Sequence, residues 1–290
     1  DYIGNYARDF VGNYTRTSTS DSLVTFIGTT GTRYSDRSNL LWQNFPEWTV
    51  GTGSATNYGQ NGDGNSRIID ASPKGQDVVW DVSNQDATSN ADGGWSTSNF
   101  AIDHTKLYRY SVWVRRKVKG NGHFYLGSYA FDSGGNNIGL NYRHSGANTT
   151  NPYFEVNAGW TEWGTGNNVN EWFLVVGHIW PSGSGTGAFQ AESGIYNIAG
   201  EKIDNLEYDF VWPSSSAVNS RHRTYLYYST DTSTNQQFWE PRVDDTTHAD
   251  CPTVAEMIAT SGEYTRQFAG NYTGNYSRTF VGNYSRAFAG

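Results

Sequence analysis

Apolar and polar positions alternate with a period of two through the middle of the chain. Tyr108, Tyr110, Val112 and Val114 fall on one side, and Arg109, Ser111, Trp113 and Arg115 on the other. That is the pattern of a strand, whose side chains point to opposite faces in turn. Residues 123–131, 172–180, 224–229 and 237–244 read the same way. Turn-forming runs such as Gly120-Asn121-Gly122 and Ser133-Gly134-Gly135-Asn136-Asn137 separate them. About ten strand signals and no long helical period predict a jelly-roll β-sandwich. Pro241 predicts an edge or a bulge for the last strand, because proline cannot donate to a ladder. One short helix is expected over 252–259, with proline in its first turn.

Both ends follow a different period. Aromatic residues fall every fourth position at Tyr264, Phe268, Tyr272, Tyr276, Phe280, Tyr284 and Phe288, and again at Tyr2, Tyr6, Phe10 and Tyr14. Either x-Gly-Asn or x-Arg-x fills the interval. Joining Gly290 to Asp1 on paper preserves both the spacing and the order of the steps, as one period of a tandem array would. Four residues of α-helix turn about 400°, so such a stripe would drift about 40° per repeat. Glycine and asparagine also oppose helix. In extended chain the aromatic, Gly and Arg positions share one face. A lone strand of this kind has two open edges and wet rings, so shelter is expected from other copies, most simply a threefold bundle.

The expected organisation is therefore a repeat segment over 1–20, a polar transition over 21–38, a sandwich over 39–262 and a second repeat segment over 263–290. Fold class is all-β, a jelly roll flanked by extended tetrapeptide-repeat fibre segments. The 290 residues are 36% hydrophobic yet 16% aromatic, with 33 glycines. The formal charge of -8 argues against a nucleic-acid partner, which needs a basic surface. No apolar run is long enough for a spanning helix. A single cysteine, Cys251, rules out an intrachain disulfide. With no signal peptide and Asp at position 1, the chain is expected to be part of something longer. Sequons at Asn13, Asn271, Asn275 and Asn283 lie in the repeats and follow mainly from their grammar, and a further one stands at Asn148.

The Phe-Val-Gly-Asn-Tyr-Thr-Arg and Asn-Tyr-Ser-Arg repeats resemble those of tail-fibre proteins of tailed phages, notably cyanophages. The segments Asp92-Gly93-Gly94-Trp95, Tyr108 through Arg116, Asn151-Pro152-Tyr153-Phe154, Glu171 through Gly177 and Phe238 through Asp244 are similar to a domain inserted in such fibres. The resemblance implies a trimeric fibre on a virion or in the extracellular space, with a sandwich like carbohydrate-binding modules. It names no ligand. It would also favour Asp244 for a structural Ca²⁺, with Asp81 and Asp92 as co-ligands. No other cofactor is implied.

Catalysis is not expected from the sequence. The six histidines show no metal-ligand spacing, no nucleophile elbow or P-loop occurs, and no pair of carboxylates is singled out. The chain reads as a non-enzymatic fibre subunit. A glycan-binding adhesion module is the alternative, because sugar faces stack on exposed rings. Its candidate residues are Trp160 and Trp163 in a glycine-rich stretch, the run Tyr142, Arg143 and His144, and Trp95 after a Gly-Gly turn.

Overall fold

The computed structural model describes residues 38–45, 48–118, 120–156 and 168–259, together with four short strands nearer the ends. The chain divides into two compact units. One is Arg33–Thr260; the other joins Asp1–Thr32 to Ser261–Gly290. In the second unit Gly4–Asn5 pairs in parallel with Tyr276–Ser277, and Phe26–Gly28 pairs antiparallel with Tyr264–Arg266. Apart from Tyr264 and Tyr276, the repeat aromatics Tyr2 through Tyr14 and Phe268 through Phe288 lie outside the described residues.

The unit Arg33–Thr260 is an all-β sandwich. Its smaller sheet sets His123–Phe131 beside Asn219–Tyr227, then Ala91–Thr97, then Tyr58–Gln60, with Phe100–Ala101 also on Asn219–Tyr227. The larger sheet runs Asn148–Thr149, Leu140–Tyr142, Phe210–Val211, Trp172–Trp180, Tyr108–Val118, Asn235–Asp245, Gly75–Ser83, Asn65–Ser72, Gly51–Thr52. Gly194–Asn197 also pairs with Trp172–Trp180 and carries Lys202–Asp204. The pairing of Trp172–Trp180 with Phe210–Val211 is parallel, and the other strand ladders of the sandwich are antiparallel. From Gly75 onward the long strands alternate between the sheets: Gly75–Ser83, Ala91–Thr97, Tyr108–Val118, His123–Phe131, Trp172–Trp180, Asn219–Tyr227, Asn235–Asp245.

The alternation read from the sequence decides what lies between the sheets. Tyr110, Val112 and Val114 join Phe124, Leu126, Phe173, Val175, Leu226 and Phe238 in the main core. The opposite side of the larger sheet is covered as well. There Trp113, Trp172, Leu174, Val176 and Trp239 pack with Val254, Met257 and Ile258. Those last three belong to the helix Val254–Ile258, where the sequence placed one. Thr253 caps it: its Oγ1 accepts from Glu256 N at 3.2 Å, and Glu256 Oε2 accepts from Thr253 N at 2.7 Å.

Asn235–Asp245 lies inside the larger sheet, between Tyr108–Val118 and Gly75–Ser83, so Pro241 does not mark an edge. It marks a bulge. The register with Tyr108–Val118 shifts between Trp239 and Arg242, and Glu240 has φ 47°. The skipped position is where a ladder bond from proline would otherwise be missing.

Trp95 corrects the idea of an aromatic presented after a turn. It lies within Ala91–Thr97 and is fully buried. Gly94 has φ +115°, and a Cβ there would come within 2.0 Å of the Thr224 carbonyl oxygen. Glycine lets the two strands approach and turns the Trp95 indole inward. It packs against Trp48 at 5.0 Å and Trp80 at 5.1 Å, and the His222 ring stacks on it at 6.0 Å. A ring with no exposed surface cannot be a sugar platform.

Candidate functional site

The outer side of the smaller sheet carries tyrosines. In His123–Phe131, Phe124, Leu126 and Ala130 face the core, leaving His123, Tyr125, Gly127 and Tyr129 outside. In Asn219–Tyr227, Leu226 faces the core, leaving Arg223, Tyr225 and Tyr227 outside. Register sets Tyr125 opposite Tyr225 and His123 opposite Tyr227. The segment after Asn151 adds Tyr153, bridged to Gly127. A Cβ on Gly127 would stand 2.6 Å from both the Tyr153 ring and the Pro152 carbonyl oxygen, so only glycine admits this crossing.

The rings form one continuous group. Tyr125 and Tyr153 are 4.8 Å apart, Tyr125 and Tyr227 6.2 Å, and Tyr227 and Tyr228 4.9 Å. Tyr228 is 47% exposed and stands at φ 64°. Tyr125, Tyr153 and Tyr227 are half-buried, while Tyr225 lies beneath them. Arg223 holds the group from below. Its guanidinium lies 3.9 Å from the Tyr129 ring centre and 4.6 Å from that of Tyr153, and it donates to Asn151 Oδ1 at 2.9 Å. Burial pushes the Tyr125, Tyr153 and Tyr227 hydroxyls above their ordinary values, so they stay neutral donors over the ordinary pH range.

Tyr142 and His144 come together at another place, joined by Tyr208. Tyr142 is 4.8 Å from Tyr208, and His144 stacks on Tyr208 at 5.2 Å with 26° between the rings. Arg143, between them in sequence, is not presented with them. Its guanidinium lies 4.5 Å from the Trp180 ring and donates to the carbonyl oxygens of Ser184, at 2.7 Å, and Gly185. It positions the 184–188 loop, and a ligand would have to take it from those carbonyls. Trp160 and Trp163 lie outside the described residues.

The three aspartates proposed for Ca²⁺ do not meet. Asp244 is fully buried, and Arg109 at 3.1 Å and Arg242 at 2.8 Å hold its two oxygens. Burial alone would raise its carboxyl. The two guanidinium charges outweigh that and hold it below the usual carboxylate range. A cation there would face two guanidinium groups. Asp81 accepts from Gln237 Nε2 at 2.7 Å and from Asn235 Nδ2 at 3.1 Å. Asp92 accepts from Ser229 N at 2.8 Å, and burial pushes it up to about 6. Among the described residues no group of three or more His, Cys, Asp or Glu is arranged to hold a metal ion.

The tyrosine face was not singled out in the sequence, although both of its strands were. The missing signal was Tyr225-Leu226-Tyr227, where rings occupy the side opposite a core leucine.

No family model matches the chain, and no curated relative does. Similar solved structures include an arabinose-bound α-L-arabinofuranosidase, at 13% identity and TM-score 0.38 over 78% of this chain and 28% of that one. A second is the enzymatically active domain of tailspike protein 4 of bacteriophage CBA120, at 9% identity and TM-score 0.32, covering 74% and 21%. A third is a xylan-binding domain of Paenibacillus barcinonensis Xyn10C, at 12% identity and TM-score 0.29, covering 68% and 92%. The chain thus spans about a quarter of the length of the first two. At this level the likeness assigns neither activity nor ligand to this chain. It does correct one expectation. A glycoside hydrolase and an enzymatically active tailspike domain stand among the similar structures, against the expectation of a non-enzymatic chain.

Proposed function

We propose that the chain is a segment of an extracellular or virion fibre, tail-fibre-like in its repeats, whose sandwich holds a polysaccharide against the open face of its smaller sheet. The row of accessible tyrosines there carries this reading. Rings cover the apolar face of a sugar, while phenol hydroxyls and the nearby Asn151 offer hydrogen bonds to its own hydroxyls. The fibre part of the proposal rests on the fourfold aromatic spacing at both ends, which calls for association with copies of the same chain, simplest as a trimer.

The test is retention on a glycan array. The wild-type chain is expected to bind, and the double variant Tyr227→Ala, Tyr228→Ala to lose most of the signal with its fold intact by circular dichroism. An unchanged array pattern in the double variant would remove this face from the proposal, and a silent wild type would remove glycan binding altogether.

A further inference from the structure

We propose that the glycan site does not end at the smaller sheet but continues around the edge of the sandwich to Tyr208 and His144, and so takes an extended chain of neutral sugars rather than a terminal unit. This rests on the reading of the tyrosine face above and lengthens it.

One short segment joins the two aromatic groups. Tyr153 is bridged to Gly127 in the smaller sheet, and three residues later Val156 is bridged to Leu206. Phe154 N donates to Leu126 O at 2.8 Å, and Glu207 N donates to Glu155 O at 2.7 Å. Three residues of extended chain cover about 10 Å. Over that span the surface passes from the Tyr125–Tyr153 pair to Glu155 and then to Tyr208, stacked on His144. Glu155 is exposed and lies on this segment between the Tyr153 and Val156 bridges, and so between the two groups. A single sugar covers one ring pair. Only a polymer reaches both groups at once.

Charge indicates which polymer. The arginines of the strip are engaged within the protein: Arg223 with Asn151 and the tyrosine rings, Arg143 with the 184–188 loop. Glu155 and Glu207 remain between the aromatic groups. Although Glu155 is exposed overall, partial desolvation of its carboxyl, and then the charge of Glu207, raises it, so another anion is unwelcome there. A polyanion meets repulsion along the middle of the strip, and a neutral chain does not.

Calorimetric titration of the full chain with fragments of graded length from xylan, mannan and β-glucan tests this, with pectate as the anionic control. Affinity for the accepted polymer is expected to rise with fragment length. The double variant His144→Ala, Tyr208→Ala should weaken long fragments about tenfold and leave short ones unchanged. Tyr227→Ala with Tyr228→Ala should weaken both. If affinity is flat with length, or the His144/Tyr208 variant binds long fragments like the parent, the extension fails while the tyrosine face stands. Pectate binding as tightly as the neutral polymers would overturn the charge argument. If no fragment binds the wild type, the face and its extension fail together.

Discussion

Trp113, Trp172 and Trp239 on the outer side of the larger sheet are packed with Val254, Met257 and Ile258 of a single short helix. Among the described residues no helix covers Tyr125, Tyr227 and Tyr228 on the outer side of the smaller sheet, and they keep contact with water. Trp113, Trp172, Trp239, Tyr125 and Tyr227 share one device, an aromatic on the side of a strand opposite a core residue. Their fates differ because of what the chain lays over them. Over the tryptophans come the helix and two cations, Arg115 at 4.7 Å from the Trp172 ring and Lys74 at 5.6 Å from the Trp239 ring. Among the described residues, the Asn151–Val156 stretch runs over the tyrosines and adds a further ring. A covered aromatic face contributes stability; an open one costs some and is kept for contact with something else.

The comparison breaks most readily at the two extremes. Trp113→Ala should cost about 3–5 kcal/mol in denaturant unfolding, because a fully buried indole leaves a cavity. Tyr228→Ala should stay within about 0.5 kcal/mol, while glycan retention falls. Equal losses would mean that the smaller sheet's face is as closed as the other.

A smaller effect separates two buried aspartates by pH. Asp244, paired with Arg109 and Arg242, has its carboxyl lowered. Its contribution is present above the ordinary carboxylate value and lost as pH falls below it. Asp92 has the opposite sign. It anchors Ser229 N, in the turn just beyond Tyr228, and burial raises it to about 6. Its favourable share is complete below the ordinary carboxylate value and disappears as pH rises through about 6. Asp92→Asn is therefore expected to raise the melting temperature near pH 7, with a gain that shrinks toward pH 4. A gain that grew on acidification would contradict the raised carboxyl.

A further, modest effect concerns the cover itself. Thr253→Ala removes the cap of the helix Val254–Ile258 and should cost about 1 kcal/mol, with faster proteolysis after residue 250. An unchanged midpoint in thermal melts would show that packing alone holds the helix down.

Strands and the helix were legible because their signals are local. The 108–115 alternation sorted core from outer face correctly, and the helix lies within the expected 252–259, with Pro252 just before its cap rather than in its first turn. What lay over each face was not legible, since that depends on residues far apart in sequence. Trp95 looked available after two glycines, yet those glycines serve a close approach of strands that buries it. Asp244 looked like a ligand until Arg109, 135 residues away, took one of its oxygens. Tyr153 gained meaning only by crossing Gly127. Tyr142 and His144 were singled out in sequence, but Tyr208, whose ring joins them, was not.

Asn235–Asp245 is the last strand of the sandwich along the chain, and it lies between Tyr108–Val118 and Gly75–Ser83. A ribosome making this protein must therefore release almost all of the sandwich before the middle of the larger sheet can close. Until then the flanks of two earlier strands stay unpaired, open to any neighbouring nascent chain. A message truncated upstream of that strand would yield not a shortened sandwich but one split down its centre.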